Sequence, residues 1–178
     1  MCMKLIVAVG PKDIIGNERG TDMPWDHVSE DMKYFKEKTK GGTVVVGRKT
    51  ADSIGSYFPL VDRHNVVLSR GDSGELEETY WDQAKASKED ASLSICNSWE
   101  DVRALTGDVW VAGGATVYNQ ALNHGLVNEA HVTRLSSEHI TPDPSKKYKT
   151  FSFPVKKWVL HEKVVLSNRA TVYVYTKA

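Results

Sequence analysis

The sequence predicts an α/β protein of one domain: a central, mixed but mostly parallel sheet flanked by helices, with an antiparallel hairpin at the C-terminus. Three observations predict it. Short runs rich in β-branched residues recur along the chain, and their middles are apolar without alternation, as in strands buried on both faces. Helix-patterned segments lie between these runs, and alternating strand and helix builds a parallel sheet. The last stretch instead holds two long strand-like runs about a polar turn. The length, 178 residues, suits one domain with a core of useful size.

The elements follow in order. "KLIVAV" (4–9) opens as a strand and residues 26–38 as the first helix. "GTVVVG" (42–47) is the next strand, and "TADSIG" (50–55) a short helix. "NVVLS" (65–69), "LSICN" (93–97), "DVWVAG" (108–113) and "EAHVTRL" (129–135) continue the sheet. "SWEDVRALT" (98–106) begins with a Ser-x-x-Asp capping pattern, and "ATVYNQALN" (115–123) follows a glycine pair. "KKWVLHEKVVLSNRATVYVYTKA" reads as two strands around a Ser167-Asn168-Arg169 turn. Residues 71–92 and 136–150 are polar and read as surface loops.

Composition narrows the function. Lys+Arg equals Asp+Glu at 23 each, so no bulk basic field for nucleic acid exists. No run approaches the length of a membrane span, and the short apolar run near the start fits a buried strand better than a secretory signal and lacks a cleavage site of small residues. Two cysteines make neither a disulfide framework nor a metal cluster, which points to a reduced, cytoplasmic setting. The six histidines are scattered without metal spacing or a nucleophile partner, so no metal is expected.

One residue is misplaced for a plain structural helix. In "MPWDHVSEDMKYFKEKT" (23–39), Val28, Met32 and Phe35 share an apolar stripe, and Asp31 falls on it. One reading is a solvated acid near a helix N-terminus, favoured by the dipole. The other is a carboxylate at the floor of an apolar cleft, with its pKa raised by burial and Met23, Trp25 and Phe35 as walls for a flat ligand. Such an acid holds an amidine-like group or helps deliver a proton.

Phosphate-binding chemistry appears at strand ends. "GTVVVGRKT" (42–50) nearly spells a P-loop, but Arg48 occupies the lysine position and the residues between the glycines read as strand. What survives is a strand ending at Gly47, followed by Arg48, Lys49 and Thr50 where a helix begins. "NVVLSR" repeats the pattern with Ser69 and Arg70. Two basic residues at two strand ends suit one phosphomonoester, such as the 2′-phosphate of NADP. "VWVAGGATVY" (109–118) has strand, Gly113-Gly114 and helix in a row, where backbone approaches a pyrophosphate closely; a tight turn explains the glycine pair as well.

Together these pieces resemble the dihydrofolate reductase family. "LIVAV", "IIG", "MPW" with "EDMKYFK", "GRKT" with "SIG", "RHNVVLS", "AGGATVY" and "VTRL" resemble its blocks in order, over nearly the whole chain. The resemblance implies NADPH-dependent reduction of dihydrofolate to tetrahydrofolate in one-carbon and nucleotide metabolism, by a cytoplasmic monomer that binds antifolates such as methotrexate or trimethoprim. On matching positions it implies that Asp31 binds the pterin and promotes protonation at N5, with Trp25 and Thr133 around it and Met23 on the loop that closes over the nicotinamide. Ile6, Ala8, Met32, Phe35 and Ala112 would contact the pterin side, and Ile54, Phe58 and Arg63 the benzoyl-glutamate side. Ala8, Ile15, Gly16, Gly47, Arg48, Lys49, Thr50, Leu68, Ser69 and Arg70 would hold NADPH, together with Gly113, Gly114, Ala115, Thr116, Val117 and Tyr118. The chain departs from the family in its longer 17–22 loop, its longer "SYFPLVDR" turn and its 71–92 insertion. Two other readings stand beside this one: a pyrimidine reductase of riboflavin synthesis on the same fold, and a binding module without turnover.

Overall fold

A computed structural model of the chain describes residues 2–17, 28–136, 143 and 145–178. The backbone runs through β1 (Cys2–Val9), β2 (Ile14–Asn17), α1 (Ser29–Thr39), β3 (Thr43–Gly47), α2 (Arg48–Ile54) and β4 (His64–Leu68). It continues through α3 (Ser73–Gln83), β5 (Ser92–Cys96), α4 (Trp99–Arg103), β6 (Asp108–Gly113) and α5 (Ala115–Asn123). β7 (Val127–Leu135), β8 (Tyr148–Thr150), β9 (Trp158–Val165) and β10 (Ala170–Lys177) complete it. Eight strands form one sheet in the order β5-β4-β3-β6-β1-β7-β10-β9, and β2 pairs with β8 in a small second sheet. β10 is antiparallel to both β7 and β9; the other pairings in the large sheet are parallel. Among the described residues no helix is long and apolar enough to cross a membrane.

β1 lies inside the sheet and is buried on both faces, which explains its unbroken apolar run. Met3, Leu5, Val7 and Val9 join a core with Val117, Tyr118 and Ala121 of α5 and with Phe151 and Phe153. On the other face, Ile6 packs with Trp110, Val172, Val174 and Tyr34 of α1. A third cluster joins Val44, Val46 and Val67 to Ala51, Phe58, Leu76 and Tyr80. A polar row closes the α1 face away from the strands' C-terminal ends. Tyr34 Oη meets His131 Nδ1 at 2.5 Å, His131 Nε2 meets Glu129 at 2.8 Å, and burial lowers the His131 pKa despite that carboxylate.

Two readings of local structure change. Residues 71–92 are not one loop: α3 occupies Ser73–Gln83. Asp72 caps it by accepting from the Glu75 N–H at 2.8 Å, and Leu76 and Tyr80 bury its inner side. The 136–150 segment ends in the short strand β8 rather than in loop. In α1 the side chain buried in the sheet is Tyr34; Val28 and Phe35 pack partly against the core clusters, and Met32 is 42% exposed.

Candidate active site

The parallel strands all end on one side of the sheet, and the chain order reverses there, because β6 returns to lie between β3 and β1. Such a switch point leaves a crevice at the strands' C-terminal ends. A cleft of about 1150 Å³ opens there, lined by Ala8 from β1, Gly47 from β3, Leu68 from β4 and Ala112 and Gly113 from β6. The apolar face of α1 forms one wall of it, through Asp31, Met32 and Phe35.

Asp31 is the third residue of α1. Its neighbour Glu30 ties the first turn to the β9–β10 connection, accepting from Arg169 at 2.5 and 3.2 Å. That clamp fixes the helix end and leaves Asp31 turned into the cleft. Burial pushes the Asp31 carboxyl above the usual carboxylate range. A hydrogen bond from the hydroxyl of Thr133 partly opposes this, and the charge of Glu30 adds a further upward push. Thr133 lies on β7 and is fully buried; it supports the acid from beneath rather than lining the cleft.

The cleft has a charged end as well as an apolar one. Gly47 and Leu68 are register partners on β3 and β4, so Arg48 and Lys49 emerge beside Ser69 and Arg70, and all four line the cleft with Thr50. Among the described residues, none of these cations pairs with a carboxylate within 4 Å. They are therefore free to meet an anion. Gly114 caps α5 without a side-chain bond, which leaves the first amides of that helix open at the cleft. Gly113 has φ 143°, and a Cβ there would stand 3.3 Å from the Thr50 side chain; a side chain would both strain the backbone and fill the crevice. Ile15 and Gly16 of β2 and Ala115, Thr116, Val117 and Tyr118 of α5 complete this end. Two chain segments with free cations and open amides, next to a slot walled by small residues, fit a phosphate-bearing dinucleotide.

The remaining expected residues divide. Ile6 and Ile54 line the cleft. Arg63 does not; its guanidinium donates to Thr39 Oγ1 at 2.7 Å and to the Lys36 carbonyl at 2.9 Å, closing the C-terminal end of α1. It stands 5.9 Å from the Phe35 ring, at the edge of the cleft. Phe58 was expected at the substrate and is instead core: it is 0% exposed and meets Tyr80 edge-on at 5.2 Å. The longer turn sends its ring inward, under α3. Met23 and Trp25 lie outside the described residues.

The cleft also holds residues that the sequence reading passed over. Asn97, Ser98, Trp99 and Glu100 follow β5, Gln120 sits further along α5, and His124 caps its C-terminal end. Trp99 Nε1 donates to Gln120 Oε1 at 3.0 Å, and the Trp99 and His124 rings lie 5.8 Å apart. The signal was available, since the rule that singled out residues after β3 and β4 applies equally to β5. Val7, Ser53 and Lys149 line the cleft too.

Comparison with known proteins agrees with this layout. A family profile described as dihydrofolate reductase matches residues 2–169. The chain is 30% identical over 171 residues to a dihydrofolate reductase of Candida albicans, covering 92% of this chain and 83% of that protein. It is 40% identical over 139 residues to dihydrofolate reductase HdrB of Haloferax volcanii, covering 76% and 66%. A solved structure of dihydrofolate reductase from Enterococcus faecalis superposes with a TM-score of 0.69 at 20% identity, covering 99% of this chain and 96% of that one. The fold, the cleft at the strand ends and a match that spans every lining residue place this chain in the dihydrofolate reductase family.

Proposed function

We propose that this protein reduces 7,8-dihydrofolate to 5,6,7,8-tetrahydrofolate with NADPH. The observation that carries the reading is Asp31: a half-buried carboxyl, held up in pKa by desolvation, beside an apolar slot that runs into a cationic phosphate-binding end. When bound, NADPH supplies the hydride that goes to C6 of the substrate. Arg48, Lys49, Thr50, Ser69 and Arg70 hold its adenosine phosphate, and the Gly113–Ala115 turn holds its pyrophosphate side. Asp31 binds N3 and the 2-amino group of the pterin and promotes protonation at N5. A raised pKa suits that work, because it favours the protonated form of the acid. Ile6, Ala8, Met32, Phe35 and Ala112 wall the heterocycle, exclude water and hold it in line with its partner. Ile54 borders the benzoyl group, and Arg63, beyond Phe35, pairs with the glutamate α-carboxylate. Antifolates such as methotrexate and trimethoprim occupy the same slot against Asp31. The protein acts as a cytoplasmic, single-domain monomer without nucleic-acid or membrane partners.

The test is oxidation of NADPH by the purified protein, followed by absorbance. Consumption only when dihydrofolate is added supports the proposal. Consumption with a ribosylaminopyrimidine instead assigns a pyrimidine reductase, and NADPH binding without any oxidation assigns a non-catalytic module.

A further inference from the structure

α3 is the segment that no proposed step uses, yet it contacts the cationic end of the cleft at two places. The first is its entrance. The Gly71 N–H donates to Ser69 Oγ at 3.1 Å, and the Asn97 amide donates to the carbonyls of Ser69 at 2.7 Å and Gly71 at 3.3 Å. Ser73 Oγ donates to Asn97 Oδ1 at 3.2 Å and closes the loop. The turn that carries Ser69 and Arg70 is thus shaped by the start of α3. The second place is Tyr80, in the middle of the helix. Its hydroxyl donates to Asp52 Oδ1 on α2 at 2.9 Å. The ring is 1% exposed and fixed against Phe58, so the hydroxyl has one place to point.

Asp52 stands one helical turn after Arg48. At that i, i+4 spacing an arginine and an aspartate on a helix surface attract each other. Arg48 is also close enough to the Tyr80 hydroxyl to act on it electrostatically. Nevertheless Arg48 and Asp52 do not pair within 4 Å. The carboxylate is engaged by the tyrosine, and the guanidinium faces the cleft.

We infer that Tyr80 is a positioning residue for cofactor choice: by holding the Asp52 carboxylate, it keeps Arg48 free for the 2′-phosphate of NADPH. This rests on the proposed placement of the cofactor. Tyr80 touches no ligand itself. Without its hydroxyl, Asp52 turns to Arg48 and competes with the phosphate for the same charge. NADH lacks that phosphate, so its binding does not depend on the contest.

The experiment measures equilibrium binding of NADPH and NADH by fluorescence quenching for wild type, Tyr80→Phe, Asp52→Asn, the double variant and Arg48→Ala. Phenylalanine keeps the ring in the core, and Asp52→Asn leaves the core untouched. Tyr80→Phe should weaken NADPH by about two- to fivefold, in line with an exposed pair of this kind, and leave NADH unchanged. On the Asp52→Asn background the tyrosine change should have no further effect, which is the signature of coupling between the two side chains. Equal losses for both cofactors, a loss that persists without Asp52, or no loss at all would overturn the inference. Arg48→Ala separates the two levels. If it collapses the NADPH preference while Tyr80→Phe does not, only the role of Tyr80 fails. If Arg48→Ala keeps the wild-type preference, the placement of the cofactor phosphate fails and the role of Tyr80 with it.

Discussion

Replacing Thr133 by Val removes one hydroxyl from beneath Asp31 and almost no volume. The bond that is lost favours the ionised carboxyl, against the larger opposing effect of burial. A hydrogen bond to a charged group contributes about 1.5–3 kcal/mol, and one pKa unit corresponds to about 1.36 kcal/mol. The Asp31 pKa should therefore rise further in Thr133→Val. The proposed role needs the protonated acid, so the fall of kcat/KM for dihydrofolate on the alkaline side should move to higher pH by the same amount. Because kcat/KM reports groups of the free enzyme, the shift belongs to Asp31 before substrate arrives. Steady-state rates between pH 5 and 10 measure it, and Thr133→Ser, which keeps a hydroxyl, should leave the profile near wild type. A Thr133→Val profile with its alkaline inflection unmoved, or moved to lower pH, would refute the reasoning.

Two further outcomes follow from the packing and the charge pairs. Phe58→Ala should lower stability by about 3–5 kcal/mol, as for other large buried aromatics, while the KM for dihydrofolate of the folded fraction stays near wild type; denaturant unfolding beside steady-state kinetics checks both, and a selective KM change would return Phe58 to the substrate site. Arg169 holds the Glu30 carboxyl down to about 2, from an ordinary value of 4.5, so this acid binds protons more tightly in the unfolded chain; its contribution is full above pH 4.5 and is lost as pH falls through about 2. Glu30→Gln should flatten that acid limb of the stability profile, read by denaturant titration at pH 3 and pH 7, and an unchanged limb would mean the pair does not form in solution.

The sheet was legible because strands such as β1, β3 and β6 are buried on both faces, which makes their middles near-continuously apolar. The C-terminal hairpin was legible because "ATVYVYT" alternates. α3 was not. Only Leu76 and Tyr80 of its eleven residues are buried, so its stripe is too thin to stand out from a charged loop. Its start did carry a sign: Asp72 and Glu75 have the spacing of Ser98 and Asp101, whose capping bond forms as the sequence implies. Asp31 was legible as an anomaly, since an acid on an apolar stripe needs a reason. Periodicity finds a helix face but cannot tell a cleft from a core, and Tyr34, with a hydroxyl that demands a partner, was the side chain that went inward to His131. Phe58 failed for a related reason: chain position after Ile54 gives no information on which side of a turn a ring will fall. Trp99, Gln120 and His124 reach the cleft from separate segments, and only the strand order brings them together.

The most direct test is Asp31→Asn, which keeps the shape of the side chain and removes its proton. NADPH should bind as in wild type, and dihydrofolate turnover at pH 7 should fall by about 10²- to 10⁴-fold, the range typical of losing a general acid. Turnover at the wild-type rate with the same pH profile would contradict the account at its centre.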